Sequence, residues 1–296
     1  MIDRVLRERA ATWLERGVGA VMVEVIATRG SVPRGAGTRM LVSVDEAIGT
    51  IGGGHLELKA ITAARSRLAR RDLSPHEQHF ALGPSLGQCC GGAVTLSFVP
   101  LDAEAMQRWP VSRPLFQLQL HGAGHVGRAI ATALAALDCA VDWFDQRDDK
   151  FPATTNLGSA WPAHIRPIAV DTVEAEVRGA PPGAFFLVLT HEHALDLRIA
   201  EAILRRGDFG FFGLIGSKTK RAGFTHRLEA RGIDTATIAR MTCPIGLAGI
   251  DGKAPEMIAA GVVAQLLLEQ ARALRTMPTD EATSLPDDPA VPLGRS

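Results

Sequence analysis

The chain has 296 residues, no formal net charge, 46% hydrophobic residues and 22% charged residues, a composition typical of a globular protein. This charge balance disfavours nonspecific attraction to nucleic acid or to an anionic membrane surface. Because the N-terminal segment lacks the apolar core of a signal peptide, we expect a cytoplasmic protein that binds neither nucleic acid nor membrane.

The first third of the chain predicts a small N-terminal α/β domain, residues 1–101. An amphipathic helix leads into the strand AVMVEVIAT, and a second strand, RMLVSV, and a short third strand ending at Ile51 follow. GGGHLE then opens a helix, and AVTLSFVPL is the last strand. The next segment, 102–114, contains two prolines and few periodic apolar residues, so we interpret it as a linker.

Two loops of this domain combine glycines with arginines or with a helix start. TRGSVPRGAGTRM and GTIGGGHLE supply the candidate ligand-binding residues Arg29, Arg34, Arg39, Gly52, Gly53 and Gly54. Arginine side chains bind phosphate through two parallel hydrogen bonds, and consecutive N–H groups of a glycine loop form a nest for anions. The two loops therefore predict the binding site of an anionic ligand.

LGPSLGQCCGG places Cys89 and Cys90 side by side between glycines. A disulfide between neighbouring cysteines closes a strained ring, and the glycines favour exposed backbone over a packed core. We interpret the pair as accessible thiols with a chemical role, the alternative being a tight turn that tolerates small residues. Cys139, in contrast, is predicted to be a small buried residue, and the role of Cys243 stays open.

From residue 115 to 276 strands and helices alternate, which is typical of a parallel sheet. LFQLQL, AVDWFD, AFFLVLT and FGFFGLIG are the clearest strands, and a long helix from about Pro255 to Arg275 closes the domain. We therefore predict an α/β protein whose second domain is Rossmann-like, with a doubly wound parallel sheet. Residues 277–296, rich in proline, aspartate and serine, predict a disordered tail.

HGAGHVGRA carries Gly122, Gly124 and Gly127 directly after a strand and at the head of a helix, which is the setting of a dinucleotide fingerprint. In this fingerprint the first glycine permits a tight turn, the second lets a pyrophosphate approach the backbone, and the third allows close helix packing. Asp145 ends the next strand and would accept the ribose hydroxyls. The sequence thus predicts a nucleotide-like ligand.

Two further motifs follow later strands. In THEHALDL, His191 or His193 would transfer a proton in a dehydrogenase, the two would bind a metal ion, or they would only hydrogen-bond the loop backbone. The helix start in IGSKTKRAGF supplies Ser217, Lys218, Lys220 and Arg221. Positive charge at a helix start opposes the helix dipole, which favours an anionic ligand there.

The successive motifs GSVPRGAGTRM, GTIGGGHLE, LGPSLGQCCGG, GAGHVG, THEHALDL, GLIGSKTKRAGF and CPIGLAGIDGKAPEMIA resemble those of the xanthine dehydrogenase accessory protein family, XdhC/CoxI. The resemblance runs in order from about Thr28 to Gln265. One departure is GKAPEMIA, where family members commonly have an acidic residue directly after the lysine.

This resemblance implies an accessory factor without turnover of its own. Members of the family bind the molybdenum cofactor (molybdopterin), hold it while a cysteine desulfurase supplies its terminal sulfido ligand, and deliver it to apo-xanthine dehydrogenase. The glycine and arginine loops would then bind the cofactor phosphate, and Cys89 or Cys90 would contact the molybdenum or a sulfur in transit, since thiolates suit a soft metal–sulfur centre. A homodimer is a further expectation.

Two other functions stay open at the level of sequence. An NAD(P)-dependent oxidoreductase would use the glycine fingerprint, Asp145 and one of the two histidines, but this function leaves the cysteine pair without a role. A nucleotide-sensing regulatory module would use the fingerprint alone, which leaves both the thiols and the arginine loops without a role.

Overall fold

The structure, a computed structural model, describes residues 3–72, 74–82, 92–110, 113–250 and 252–276. Cys89, Cys90 and the tail 277–296 for which disorder is predicted lie outside these residues. The chain forms two compact units. The first comprises Met1–Leu115 with Leu134–Cys139, and the second comprises Phe116–Ala133 with the chain from Ala140 onward.

The first unit contains a five-stranded antiparallel sheet with the strand order β3-β2-β1-β5-β4. Its elements are α1 (Asp3–Glu15), β1 (Ala20–Arg29), β2 (Arg39–Ser43), β3 (Ala47–Gly49), α2 (Gly54–Arg70), β4 (His76–Ala81), β5 (Ala93–Pro100) and α3 (Ala103–Arg108). The sequence pattern anticipates these elements except β4, which carries a single buried side chain, and α3.

Apolar layers cover both faces of this sheet, because side chains alternate along β1. Val21, Val23 and Val25 belong to one layer, which α2 completes with Leu56, Ala60 and Ala64. Ala20 and Met22 belong to the other layer, which includes Leu6, Ala10 and Trp13 of α1. The small unit is therefore a three-layer α/β structure around one antiparallel sheet.

The segment 102–114, for which a linker is predicted, contributes a short helix to this second layer. Asp102 caps α3 by accepting a hydrogen bond of 2.8 Å from the backbone N–H of Ala105. Ala105 and Trp109 are buried, and together they attach the helix to the first unit. Because α3 has only six residues, it is too short to show a helical hydrophobic period in the sequence.

The second unit contains a six-stranded parallel sheet with the strand order β11-β10-β9-β6-β7-β8. Its elements are β6 (Gln117–His121), α4 (His125–Leu134), β7 (Ala140–Asp145), β8 (Ile165–Ala169), β9 (Phe185–Val188), α5 (His193–Arg206), β10 (Phe211–Leu214), α6 (Lys218–Glu229), α7 (Thr235–Ala239), β11 (Met241–Thr242) and α8 (Pro255–Thr276).

The strand order of this sheet is that of a doubly wound Rossmann domain, which confirms the predicted fold class. The chain runs outward from β6 in one direction through β7 and β8, then returns to β9 and continues in the other direction. Ligands of such sheets bind at the carboxyl ends of the strands where the direction reverses, here between β6 and β9. The glycine fingerprint follows β6 and THEHALDL follows β9, so both motifs lie at this point.

Of the helices in the described part of the chain, α8 alone has the length and apolar composition required to cross a membrane. The relevant stretch, Pro255–Arg275, has a mean hydropathy of 1.3, and 28% of its most apolar window is buried. The helix coincides with the long closing helix that the sequence predicts.

Candidate functional site

Three loops meet at one end of the N-terminal sheet. The loop after β1 begins at Arg29, which pairs with Ala93 at the start of β5. The β4–β5 hairpin is closed by a hydrogen bond of 2.7 Å from the N–H of Leu82 to the carbonyl of Gly92. Gly92, the described residue that follows the cysteine-bearing segment, therefore lies beside Arg29, while residues 83–91 lie outside the described part.

These loops are in close contact at two glycines, Gly92 against backbone atoms and Gly52 against the side chain of Pro33. A Cβ atom at Gly92 would collide with the carbonyl oxygen of Ser31 and would lie 2.6 Å from that of Arg29. A Cβ atom at Gly52 would lie 2.8 Å from Cβ of Pro33. Glycine is thus required at both positions, and the arginine loop, the GGG loop and the end of the cysteine hairpin form one continuous surface.

Arg39 is held by residues of its own unit. Its Nη2 donates to Glu24 Oε1 at 2.5 Å, Nη1 donates to the carbonyl of Gly37 at 3.0 Å, and the guanidinium lies 5.3 Å from the centre of the Trp109 ring. Asp3 adds a second carboxylate at 3.8 Å. Because these groups balance its charge, Arg39 stabilises the fold around the loop more directly than it offers a free cation to a ligand.

Arg29 and Arg34 are exposed, and their side chains have no hydrogen bond or ion pair with any residue that the structure describes. Arg34 lines a cleft of about 490 Å³ together with Arg39, Thr38 and Thr50. The Nε atom of Arg39 is buried there without a hydrogen-bond partner among the described residues. Of the three predicted arginines, Arg29 and Arg34 are therefore the ones whose charge an anionic ligand would neutralise.

Alanine substitution should separate these two kinds of arginine. Arg39→Ala leaves Glu24 without its partner and should lower the free energy of unfolding by roughly 1.5–3 kcal/mol, the range for a charge-assisted hydrogen bond. Arg34→Ala should change it by less than about 0.5 kcal/mol, as is usual for an exposed residue. Urea denaturation followed by circular dichroism measures both values, and equal destabilisation by the two variants would contradict this assignment.

The GGG loop is stabilised by an internal carboxylate. Glu57 Oε2 accepts hydrogen bonds from Thr50 Oγ1 at 2.6 Å and from the backbone N–H of Gly53 at 3.0 Å. The N–H of Gly52 donates to Thr50 Oγ1 at 3.1 Å. Gly54, exposed in the first turn of α2, is then the predicted glycine whose N–H a ligand would reach, because the first N–H groups of a helix lack intrahelical partners.

In the second unit, the three glycines of the fingerprint have distinct environments. Gly122 has a φ of 122°, and a Cβ atom there would collide with the carbonyl oxygen of Leu189. A Cβ atom at Gly127 would collide with the carbonyl oxygen of Gly122. At Gly124 no heavy atom lies within 4 Å of the Cβ position. Gly122 and Gly127 are thus needed for the fold, while Gly124 leaves its backbone open to approach.

Asp145 binds the glycine loop and a neighbouring arginine. Its carboxylate accepts hydrogen bonds from the N–H of Ala123 at 2.7 Å and from Nε and Nη2 of Arg147 at 2.9 and 3.0 Å. Burial alone would raise the pKa of Asp145, but these donors hold that pKa below its ordinary value. The predicted ribose acceptor is therefore 4% exposed and already hydrogen-bonded, and Arg147, which the sequence argument missed, stands beside it.

His191 and His193 are both exposed at the N-terminal end of α5. Nowhere in the described ranges do three or more histidine, cysteine, aspartate or glutamate side chains form a group that could hold a metal ion. The metal-binding interpretation of the histidine pair therefore has no support from neighbouring ligands. Their exposure leaves them accessible to a ligand at the reversal point between β6 and β9.

The cationic helix start of α6 is only partly free. Ser217 caps the helix by accepting a hydrogen bond of 3.2 Å from the N–H of Lys220. Lys220 Nζ donates to Asp196 Oδ2 at 2.7 Å, so its charge is balanced inside the protein. Arg221 donates to the carbonyl of Cys243 at 3.4 Å, and Lys218 is exposed. Lys218 is thus the most accessible of the four predicted residues.

The structure also shows buried polar groups that the sequence argument did not single out. His121, at the end of β6, is completely buried between Phe144 and Phe186, and neither ring nitrogen has a hydrogen-bond partner among the described residues. Burial lowers its pKa to about 3, so the imidazole is neutral.

Cys139 is buried, in agreement with the prediction for this thiol, and burial raises its pKa to about 12.

Comparison with known proteins agrees with this architecture. The family model described as the XdhC Rossmann domain matches residues 118–266, which is half of the chain, and the model described as the XdhC and CoxI family matches residues 13–74. YqeB of Escherichia coli (strain K12), described as uncharacterized, is 32% identical over 271 residues. That match covers 87% of this chain but 45% of YqeB, so the chain spans about half the length of this relative.

A solved structure described as a xanthine dehydrogenase from Bacillus halodurans has the same fold. It superposes with a TM-score of 0.70 over 94% of this chain and 97% of that chain, at 20% sequence identity. The two family matches lie in the two units of the structure and include the arginine loop, the GGG loop, the glycine fingerprint and the α6 helix start. The chain belongs to the XdhC and CoxI family.

Proposed function

We propose that this protein is a cytoplasmic maturation factor for xanthine dehydrogenase that binds the molybdenum cofactor. In this proposal the protein holds the cofactor while a cysteine desulfurase sulfurates it, and then delivers it to apo-xanthine dehydrogenase. Membership in the XdhC and CoxI family supports a role in maturation. The observation that carries the cofactor part is the meeting of the arginine loop, the GGG loop and the cysteine hairpin at one end of the N-terminal sheet.

The described residues at this end fit the phosphate of molybdopterin. Arg29 and Arg34 are exposed cations without a described partner, and arginine pairs with phosphate through charge-assisted hydrogen bonds. Gly54 adds an N–H group at the start of α2. When bound, the cofactor would supply a molybdenum centre with sulfur ligands, for which the thiolates of Cys89 and Cys90 are chemically suited.

Arg34→Ala should weaken binding of the molybdenum cofactor by about tenfold to a hundredfold, the equivalent of roughly 1.5–3 kcal/mol for one charge-assisted hydrogen bond. Titration of the apoprotein with cofactor, followed by pterin fluorescence, measures the dissociation constant. Arg16→Ala removes another exposed arginine, outside the three loops, and this variant should bind the cofactor as the parent does. Unchanged affinity in the Arg34 variant would show that the arginine loop is not the phosphate site.

The cysteine pair should be essential for transfer. The Cys89→Ser/Cys90→Ser variant should fold normally but fail to activate apo-xanthine dehydrogenase, because serine is a hard ligand that does not replace a thiolate at a sulfur-rich molybdenum centre. We expect Cys90→Ser to be nearly as defective as the double variant.

Native-state alkylation gives an independent measurement on the same pair. Cys139 and Cys243 are buried, so alkylation of the folded protein by iodoacetamide should measure the accessibility of Cys89 and Cys90. Bound cofactor should protect them. Full activation of apo-xanthine dehydrogenase by the double variant would leave these cysteines without a role in transfer.

A bound nucleotide in the second unit is a secondary part of the proposal, favoured by the open backbone at Gly124. Bound NAD(P) without hydride transfer would make this unit a nucleotide sensor within the maturation factor. A reproducible, substrate-dependent change in NAD(P)H absorbance would instead establish an oxidoreductase and overturn the proposal.

A further inference from the structure

Helix α8 carries an apolar stripe along its whole length, in which Ala264 and Ala271 are half-buried and the other residues are exposed. The stripe, here called the α8 stripe, consists of Met257, Ala260, Ala264, Leu267, Ala271 and Leu274. Its larger side chains are well exposed, with 45% for Met257, 37% for Leu267 and 59% for Leu274. The spacing alternates between three and four residues, which is the period of the contact seam in a coiled coil.

The opposite side of α8 already packs on the protein. Ala259, Val262 and Leu266 are buried, and Gln265 accepts a hydrogen bond of 2.8 Å from the N–H of Gly246. From Leu267 to Arg275 every side chain is exposed or half-buried. The helix is therefore attached along its first half. Met257 of the α8 stripe also lies against Gly252, while Leu267 and Leu274 remain exposed.

We propose that the α8 stripe binds the same stripe of a second copy of this chain, with the two helices antiparallel. In that arrangement Met257 of one copy packs on Leu274 of the other, and Ala264 packs on Leu267. Ala260 meets Ala271, and these small side chains let the two backbones approach closely. Each of these contacts pairs two different residues of the stripe, and each occurs twice because the two copies of a homodimer are related by two-fold symmetry.

The charges at the ends of α8 select this orientation. Glu256 lies in the first turn and Arg275 in the last turn of the helix. An antiparallel pair brings Glu256 of each copy to Arg275 of the other, which makes two opposite-charge contacts, and it opposes the two helix dipoles. A parallel pair would bring Glu256 to Glu256 and Arg275 to Arg275, which are like charges.

The composition of α8 also favours a second copy over a lipid surface. Helices that lie on membranes carry a polar face rich in lysine and arginine. α8 has no lysine, and its two arginines, Arg272 and Arg275, are accompanied by Glu256 and Glu269. The chain as a whole has no net charge that would attract it to anionic lipid.

Sedimentation velocity on the full chain tests the proposal. The parent should dimerise with a dissociation constant on the order of micromolar, because one helix pair buries less than a standard interface of roughly 1,600 Å². Leu267→Glu/Leu274→Glu should raise that constant by at least about tenfold, since carboxylates would be buried in the seam. Leu157→Glu, at a leucine that is 85% exposed elsewhere, should dimerise as the parent does.

Charge reversal tests the orientation without altering the seam. Glu256→Arg and Arg275→Glu should each weaken the dimer by about twofold to tenfold, and the double variant should restore parental affinity. A parent that stays monomeric at about 100 µM, or a dimer that the leucine variants do not weaken, would overturn the proposal. So would a monomeric parent that sediments with phosphatidylglycerol vesicles through Leu267 and Leu274, because the stripe would then bind lipid.

Discussion

Gly127→Ala should lower the free energy of unfolding by about 3 kcal/mol or more, the upper range for overpacking, whereas Gly124→Ala should change it by less than about 0.5 kcal/mol. The methyl group at 127 would collide with the carbonyl oxygen of Gly122. That oxygen cannot move freely, because it accepts a hydrogen bond of 3.0 Å from Trp143 Nε1. At Gly124 the methyl group enters open space, and this residue is not among the described glycines with positive φ.

The same two positions separate stability from ligand binding. Urea denaturation of both alanine variants gives the stability difference, and Gly124→Val adds a test of binding. A valine at 124 should leave the fold intact and weaken nucleotide binding by at least about tenfold, because its side chain occupies the space through which a phosphate reaches the backbone. Equal destabilisation by the two alanine variants would contradict the view that Gly127 is needed for packing and Gly124 is not.

Much of the fold follows from the sequence because the strands of the second unit are buried runs and its turns carry glycine signals. β6, β7, β9 and β10 all coincide with apolar segments that the sequence pattern marks. β8 was missed because IRPIA contains one fully buried residue, Ile165, and a proline, so it lacks both a buried run and an alternating pattern. The strand forms because β7 offers a free edge with which it pairs in parallel.

The candidate site was predictable in its loops but not in its charge balance. Glycine spacing identifies the GGG loop and the fingerprint, since these loops depend on local backbone geometry. The partners of the cations depend on the tertiary fold instead. Arg39 of β2 pairs with Glu24 of the neighbouring strand β1, and Lys220 in the first turn of α6 pairs with Asp196 in the first turn of α5. A sequence shows how many charges are present, but only the folded chain shows which of them are already paired.

Asp196 connects the two motifs that follow β9 and β10. Its side chain is completely buried, and its carboxylate accepts hydrogen bonds from the N–H of Thr190 at 3.0 Å, from Thr190 Oγ1 at 2.7 Å and from Lys220 Nζ at 2.7 Å. Lys220 also donates to the carbonyl of Ile215 at 2.8 Å and lies over the ring of Phe224. This network fixes THEHALDL and IGSKTKRAGF relative to each other at the carboxyl edge of the sheet.

Lys220→Met should therefore destabilise the second unit by about 3–5 kcal/mol, the range for removing one partner of a buried ion pair. Methionine fills the space of the lysine stem but leaves the carboxylate of Asp196 buried without its counter-charge. The double variant Asp196→Asn/Lys220→Met removes the buried charge as well and should recover much of the loss, because the uncompensated carboxylate is the main cost. Lys218→Met, at an exposed lysine in the same helical turn, should change stability by less than about 0.5 kcal/mol. Urea denaturation of the parent and the three variants measures these differences, and a Lys220 variant as stable as the Lys218 variant would show that Asp196 is stabilised by Thr190 alone.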